Sequence, residues 1–135
     1  MSAFENFTII FDQWSYLGNS SAIIRTTADS FTAVYKGYFI VPPNPSYIAA
    51  AINFRASDTS GDARVRLSID GQSQTSSEGG QTTNTYIWHK TDGLDISSFG
   101  VGSIYNFDIE AREDNGPYYC DVRHILVYNV NSTGY

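Results

Sequence analysis

The chain has 135 residues with a formal net charge of −6, 14 acids against 8 lysines and arginines, and 41% hydrophobic and 15% aromatic residues. That content excludes a disordered chain, and the acidic balance, with the arginines scattered among acids, argues against nucleic acid as a partner. No apolar run approaches the roughly 20 residues that a membrane-spanning helix needs, so membrane insertion is not expected.

Residues 1–135 read as a single domain with a short polar tail from about 131. Met1-Ser-Ala-Phe leads directly into strand-like sequence, without the basic stretch, apolar core or cleavage site of a secretion signal. A composition rich in Ser, Thr, Asn, Gly and Tyr that starts this way suggests a protein assembled inside a cell and exposed later, as virion proteins are. The alternative is a module cut from a larger secreted chain.

Alternation of apolar and polar residues with period two recurs along the sequence and predicts strands. Phe7, Ile9 and Phe11 open the series, followed by short strands at Ala22–Thr27, Phe31–Tyr35 and Tyr38–Val41. Pro42-Pro43-Asn44-Pro45 is a stiff loop, since proline cannot donate to a ladder. Tyr47–Ala56 contains the run Ala49-Ala50-Ala51 but keeps strict alternation through Ile48, Ala50, Ile52, Phe54 and Ala56, so it reads as a strand. Val65, Leu67 and Ile69 define the next strand, and Asp70-Gly71 is a hairpin signal that would return the chain as a polar strand over Gln72–Ser77. Thr82–Lys90 is a further strand, and Asp95–Phe99 the one short helical turn expected. Tyr105, Phe107, Ile109 and Ala111 share a face of the strand Ile104–Arg112. In the last strand, Tyr118–Val130, strict alternation puts Cys120, Val122, His124, Leu126, Tyr128 and Val130 on one face, with Ile125 and Val127 on the other. Eight or nine strands without a convincing helix predict an all-β, single-domain antiparallel sandwich or barrel.

Gly37-Tyr-Phe-Ile-Val, the proline loop, Ile48-Ala-Ala-Ala-Ile-Asn-Phe and Val65-Arg-Leu-Ser-Ile-Asp-Gly resemble the middle of jelly-roll modules. Leu94-Asp-Ile-Ser-Ser-Phe and Val122-Arg-His-Ile-Leu-Val-Tyr resemble their closing strands. The resemblance implies a single jelly roll of the kind found in capsid, decoration and fibre proteins of viruses and phages, and in carbohydrate-binding modules. It is architectural, and fold does not fix function.

Catalysis has little material: His89 and His124 lie far apart in sequence, and the common nucleophile, zinc and phosphate-loop motifs are absent, so no enzymatic role is expected. Cys120 is the single cysteine, which removes thiolate zinc sites and internal disulfides and suggests a small apolar core group. Calcium is the one cofactor the acids leave open. Asp58 with Asp62, and Glu113 with Asp114 and Asn115, offer loop carboxylates, as does Asp92 with Asp95. Jelly-roll binding modules often hold a structural calcium, so the resemblance adds a little to this, but Asp and Asn also serve turns directly. A sugar would need exposed rings with polar groups beside them; the candidate platform is Trp14, Tyr16, Trp88, Tyr118 and Tyr119, with Tyr86 nearby. The same rings also suit a core or a subunit interface. Asn6, Asn19 and Asn131 begin glycosylation sequons. The nearly uncharged run Gln72–Thr85 is either an exposed hairpin or an edge covered by a neighbouring subunit.

The function expected from these residues is that of a non-enzymatic structural protein of a viral or phage particle, partnered by its own copies and other virion proteins, on the virion surface or in its capsid. A carbohydrate-binding module, extracellular and partnered by glycans, is the alternative, and a subunit of a cell-surface filament the third.

Overall fold

The structure, a computed structural model, describes residues 7–12, 23–44, 47–69 and 75–130. Its strands are β1 (Phe7–Asp12), β2 (Ile24–Thr26), β3 (Thr32–Ile40), β4 (Tyr47–Ala56), β5 (Ala63–Ile69), β6 (Gly79–Gln81), β7 (Ile87–Lys90), β8 (Leu94–Asp95), β9 (Ile104–Glu113) and β10 (Cys120–Val130). Sheet A has the order β1-β10-β4-β7, with β2 and β8 as short additions pairing with β10 and β4, and sheet B has the order β3-β9-β5-β6. All pairings are antiparallel. β3, β4 and β5 alternate between the layers, β9 enters sheet B between β3 and β5, and the last strand returns in sheet A between β1 and β4. This is the connectivity of a jelly-roll sandwich.

The alternating residues meet between the sheets. Ile48, Ile52 and Phe54 of β4 pack against Val65, Leu67 and Ile69 of β5 and Phe107 and Ile109 of β9, all essentially without solvent contact. Each such side chain contributes roughly 1.5–3 kcal/mol by leaving water. Cys120 is part of this core. Burial, then the charges of Glu113 and Asp121, push its thiol up to about 12.

Several expectations change. The strands expected at Phe31–Tyr35 and Tyr38–Val41 form one continuous β3, because the intervening Lys36-Gly37 stays paired with β9. Gly37 is required there, since a Cβ would meet the Phe107 ring at 2.5 Å. The helical turn expected at Asp95–Phe99 is instead the end of β8 followed by a turn, in which Asp95 accepts the Ser97 N–H and Oγ–H at 2.9 and 2.6 Å. These two bonds hold the Asp95 carboxyl below its ordinary range. Only Ile87–Lys90 of the expected Thr82–Lys90 strand pairs, and β2 is likewise shorter than expected.

The Asp70-Gly71 turn and the tail from 131 lie outside the described residues. Beyond the turn, the polar run is tied to its own domain. The Ser76 N–H donates to the Leu67 carbonyl and the Ser76 Oγ accepts the Leu67 N–H, while the Gln81 amide donates to the Phe54 and Thr85 carbonyls at 2.7 Å.

Candidate functional site

The outward face of sheet A is set by an irregularity in β10. Val122 pairs with Phe54 of β4, but the next residue of β4, Asn53, pairs with His124 rather than Arg123. Arg123 is therefore an extra residue, a β-bulge of the kind that re-aims side chains and reverses the alternation beyond it. Cys120 and Val122 point into the core before the bulge, and Ile125 and Val127 point into it afterwards. His124, Leu126, Tyr128 and Val130 lie on the opposite face. This corrects the strict alternation expected for the last strand.

Two rows of side chains follow from this register. The first is Arg25–Asp121–Arg55, in which Asp121 pairs across the sheet with both arginines. Asp121 is fully buried; Arg25 binds it through Nε and a terminal nitrogen at 2.7 and 3.2 Å, and Arg55 through Nε at 3.2 Å. The hydrogen bond to Asp121 raises the Arg25 guanidinium above its usual value.

The second row is Trp88–Asn53–His124, two pairs further along, with Arg123 beside it. The Trp88 ring lies nearly parallel to that of His124, at 5.9 Å between centroids and 12° between planes, yet Trp88 remains 57% exposed. Arg123 donates from Nε to Asn53 Oδ1 at 2.7 Å and lays its guanidinium over the Tyr86 ring at 3.8 Å. Arg55 approaches the same ring at 4.8 Å, and Arg25 stacks on Tyr119 at 3.7 Å. Burial raises the Tyr86 phenol, opposed by Arg55, Arg123 and Arg25 and assisted by Asp121. Two guanidiniums thus share one carboxylate, and a third, Arg123, lies on the Tyr86 ring beside them, in a chain whose net charge is −6.

Of the aromatic platform expected from sequence, Trp88 and Tyr119 belong to this face. Tyr118 sits in the loop before β10, its N–H donating to the Asn115 carbonyl. Trp14, Tyr16, Asn6, Asn19 and Asn131 lie outside the described residues. Missed from the sequence were Arg25, Arg55, Arg123, Asn53, Asp121 and the outward placement of His124. His89 falls on the opposite, inward parity of sheet A, paired with Ile52, and its Nε2 lies 3.1 Å from the Ser77 carbonyl, so the two histidines do not form an acid–base pair.

Of the carboxylates considered for calcium, Asp58, Asp62, Glu113 and Asp114 gather at one corner but serve separate ends, while Asp92 and Asp95 lie elsewhere and accept from Ser77 and Ser97. Glu113 is fully buried, its Oε1 accepting the Asp62 and Asn115 N–H groups at 2.6 and 3.0 Å. Its Oε2 has no hydrogen-bond partner among the described residues. Asp58 caps Ser60, Asp62 pairs with Arg64, and Asp114 pairs with Arg112. Among the described residues no group of three or more His, Cys, Asp or Glu is placed to hold a metal ion.

A second surface lies on sheet B. Gly100–Ser103 is a turn closed by a 3.0 Å bond from Ser103 N to Gly100 O, with Gly102 at φ 84°, the left-handed backbone that glycine adopts without strain. It carries Val101 at its tip beside the Ile40–Ile104 cross-strand pair. Val101, Ile40, Ile104 and Tyr38 are 61, 59, 65 and 68% exposed.

The protein is a jelly-roll β-sandwich, and comparison with solved structures agrees. It is similar to a chain of the T13 viral particle of infectious bursal disease virus, at 12% identity and a TM-score of 0.57, over 95% of this chain and 32% of that one. A chain from the Gt strain of the same virus gives 12% identity and a TM-score of 0.53, over 95% and 34%. The chain therefore spans about a third of the viral polypeptides it matches. It is also similar to the CBM36-1 domain of a multidomain xylanase from the hindgut metagenome of Trinervitermes trinervoides, at 12% identity and a TM-score of 0.52, over 90% of this chain and 96% of that domain. Identities this low speak to the fold alone. No protein-family profile and no curated protein sequence matches the chain.

Proposed function

We propose that the chain is a non-enzymatic structural subunit of a viral or phage particle, associating with copies of itself through the free end of β3. The observation that carries this reading is the apolar strip of Tyr38, Ile40, Val101 and Ile104. β3 is the terminal strand of its sheet, and among the described residues β9 is its one ladder partner. Lone exposed apolar residues are ordinary, but a contiguous set on an open edge marks an association surface. Two copies joined there would cover the strip and satisfy the edge. The likeness to chains of viral particles supports this reading at the level of fold.

The test is solution mass by light scattering across micromolar concentrations, for the wild type and for an Ile40→Lys, Ile104→Lys variant. A discrete oligomer that the variant reduces to monomer is expected. A wild type that is monomeric at every concentration overturns self-association.

Carbohydrate binding is a second reading, favoured by a different observation: the open Trp88 ring with Asn53 and Arg123 beside it. The likeness to a CBM36 domain over its whole length is compatible with this.

A further inference from the structure

We propose that the outer face of sheet A binds a saccharide bearing a carboxylate, with the sugar ring on Trp88 and the carboxylate on Arg123. The inference rests on the carbohydrate-binding reading and specifies its ligand. Arg25, Arg55, Arg64, Arg66 and Arg112 each have a carboxylate within ion-pair distance. Arg123 has none among the described residues. It is nevertheless held firmly, with Nε on Asn53 and its flat face on Tyr86, so its terminal N–H groups are left to a ligand. A guanidinium fixed in this way has already lost the freedom that binding would otherwise cost, and its fork matches a carboxylate in two parallel bonds.

The neighbouring row strengthens the local field, since Arg25 and Arg55 share the single carboxylate of Asp121. Trp88 supplies the complementary surface. Its ring is backed by His124, 57% exposed, and separated from Arg123 by the width of one strand, because both flank Asn53. The apolar C–H face of a pyranose packs on such a ring. A small cationic focus within a chain of net charge −6 suits one acidic group on a sugar better than the repeated phosphates of a nucleic acid.

Calorimetry at low salt with two matched pairs tests the proposal: trigalacturonate against its methyl ester, and sialyllactose against lactose. The acidic member of at least one pair is expected to bind about tenfold or more tightly than its neutral counterpart. The pair that responds distinguishes a uronate from a sialate. Arg123→Gln and Trp88→Ala should each weaken that binding by about tenfold or more while the melting temperature shows the variants folded. If Arg123→Gln does not fold, the ester comparison on the wild type still decides. Equal binding of acidic and neutral sugars overturns the carboxylate assignment and leaves the carbohydrate reading standing. Binding that survives both folded variants overturns the site, and no binding in either pair overturns both.

Discussion

Arg123 Nε and Asn53 Oδ1 meet at 2.7 Å because β10 carries one residue more than β4 opposite it. The bulge places two consecutive side chains, Arg123 and His124, against a single partner. Asn53 is 3% exposed, so its carbonyl oxygen has little access to water if the arginine is withdrawn. Asn53→Ala removes the acceptor and leaves Arg123 to reorient toward solvent. The expected loss is roughly 1.5–3 kcal/mol, the range for a hydrogen bond to a charged group. It should appear as a lower urea midpoint with an unchanged slope, and an unchanged midpoint would show that the contact contributes nothing to stability.

Asp121 and its two arginines are asymmetric. The carboxylate is wholly inside, while the side chains of Arg25 and Arg55 are 49% and 31% exposed. Removing the carboxylate leaves cations that can turn to water; removing the cations strands a buried anion. The double variant Arg25→Gln, Arg55→Gln is therefore expected to lower the urea midpoint more than Asp121→Asn does. The reverse order would mean that Asp121 finds water or another donor once its partners are gone.

The core was legible because the alternation of Ile48 to Ala56, Val65 to Ile69 and Tyr105 to Ala111 runs unbroken in the fold. The face bearing Trp88 was legible only in part. A bulge leaves no mark in a hydrophobic pattern when apolar residues stand on both parities, as Val122, Ile125, Leu126 and Val127 do. Alternation carried through Arg123 consequently put His124 in the core. The arginines read as scattered because Arg25, Arg55 and Arg123 are distant in sequence, and only the pairing of β10 with both β2 and β4 brings them together. At the acidic corner, the sequence brought Asp58, Asp62, Glu113 and Asp114 to neighbouring loops but could not reveal that each already serves a loop N–H or an arginine.

Gly79 and Gly80 are adjacent in β6 and should respond oppositely to the same change. A Cβ at Gly79 would lie 2.3 Å from His89 Cγ and 2.6 Å from His89 Cβ, at the root of that side chain, where rotation gives little relief. At Gly80 the nearest atom is Arg64 Cγ at 3.8 Å, an ordinary contact. Gly79→Ala is expected to cost about 1–3 kcal/mol through displacement of β6 or β7. Gly80→Ala should stay within about 0.5 kcal/mol of wild type. Thermal melts of the two variants side by side provide the check, and equal melting temperatures would contradict the close approach of Gly79 to His89.

Cys120 gives the fold a pH dependence in the alkaline range. Its thiol, pushed up to about 12 in the fold, stays protonated where the unfolded chain releases the proton near pH ~8.5. The folded state then holds more protons than the unfolded one, so stability falls as pH rises through this interval. Between pH 7 and 10 the wild type is expected to lose about 2 kcal/mol more than Cys120→Ala, in which the other titrating groups are unchanged. Urea midpoints of both proteins at the two pH values measure the difference. The same burial predicts that Ellman's reagent finds no thiol in the native protein at pH 8 and one in denaturant. Rapid native reaction, or parallel pH curves for the two proteins, would place Cys120 in contact with solvent and open the route to a disulfide between chains.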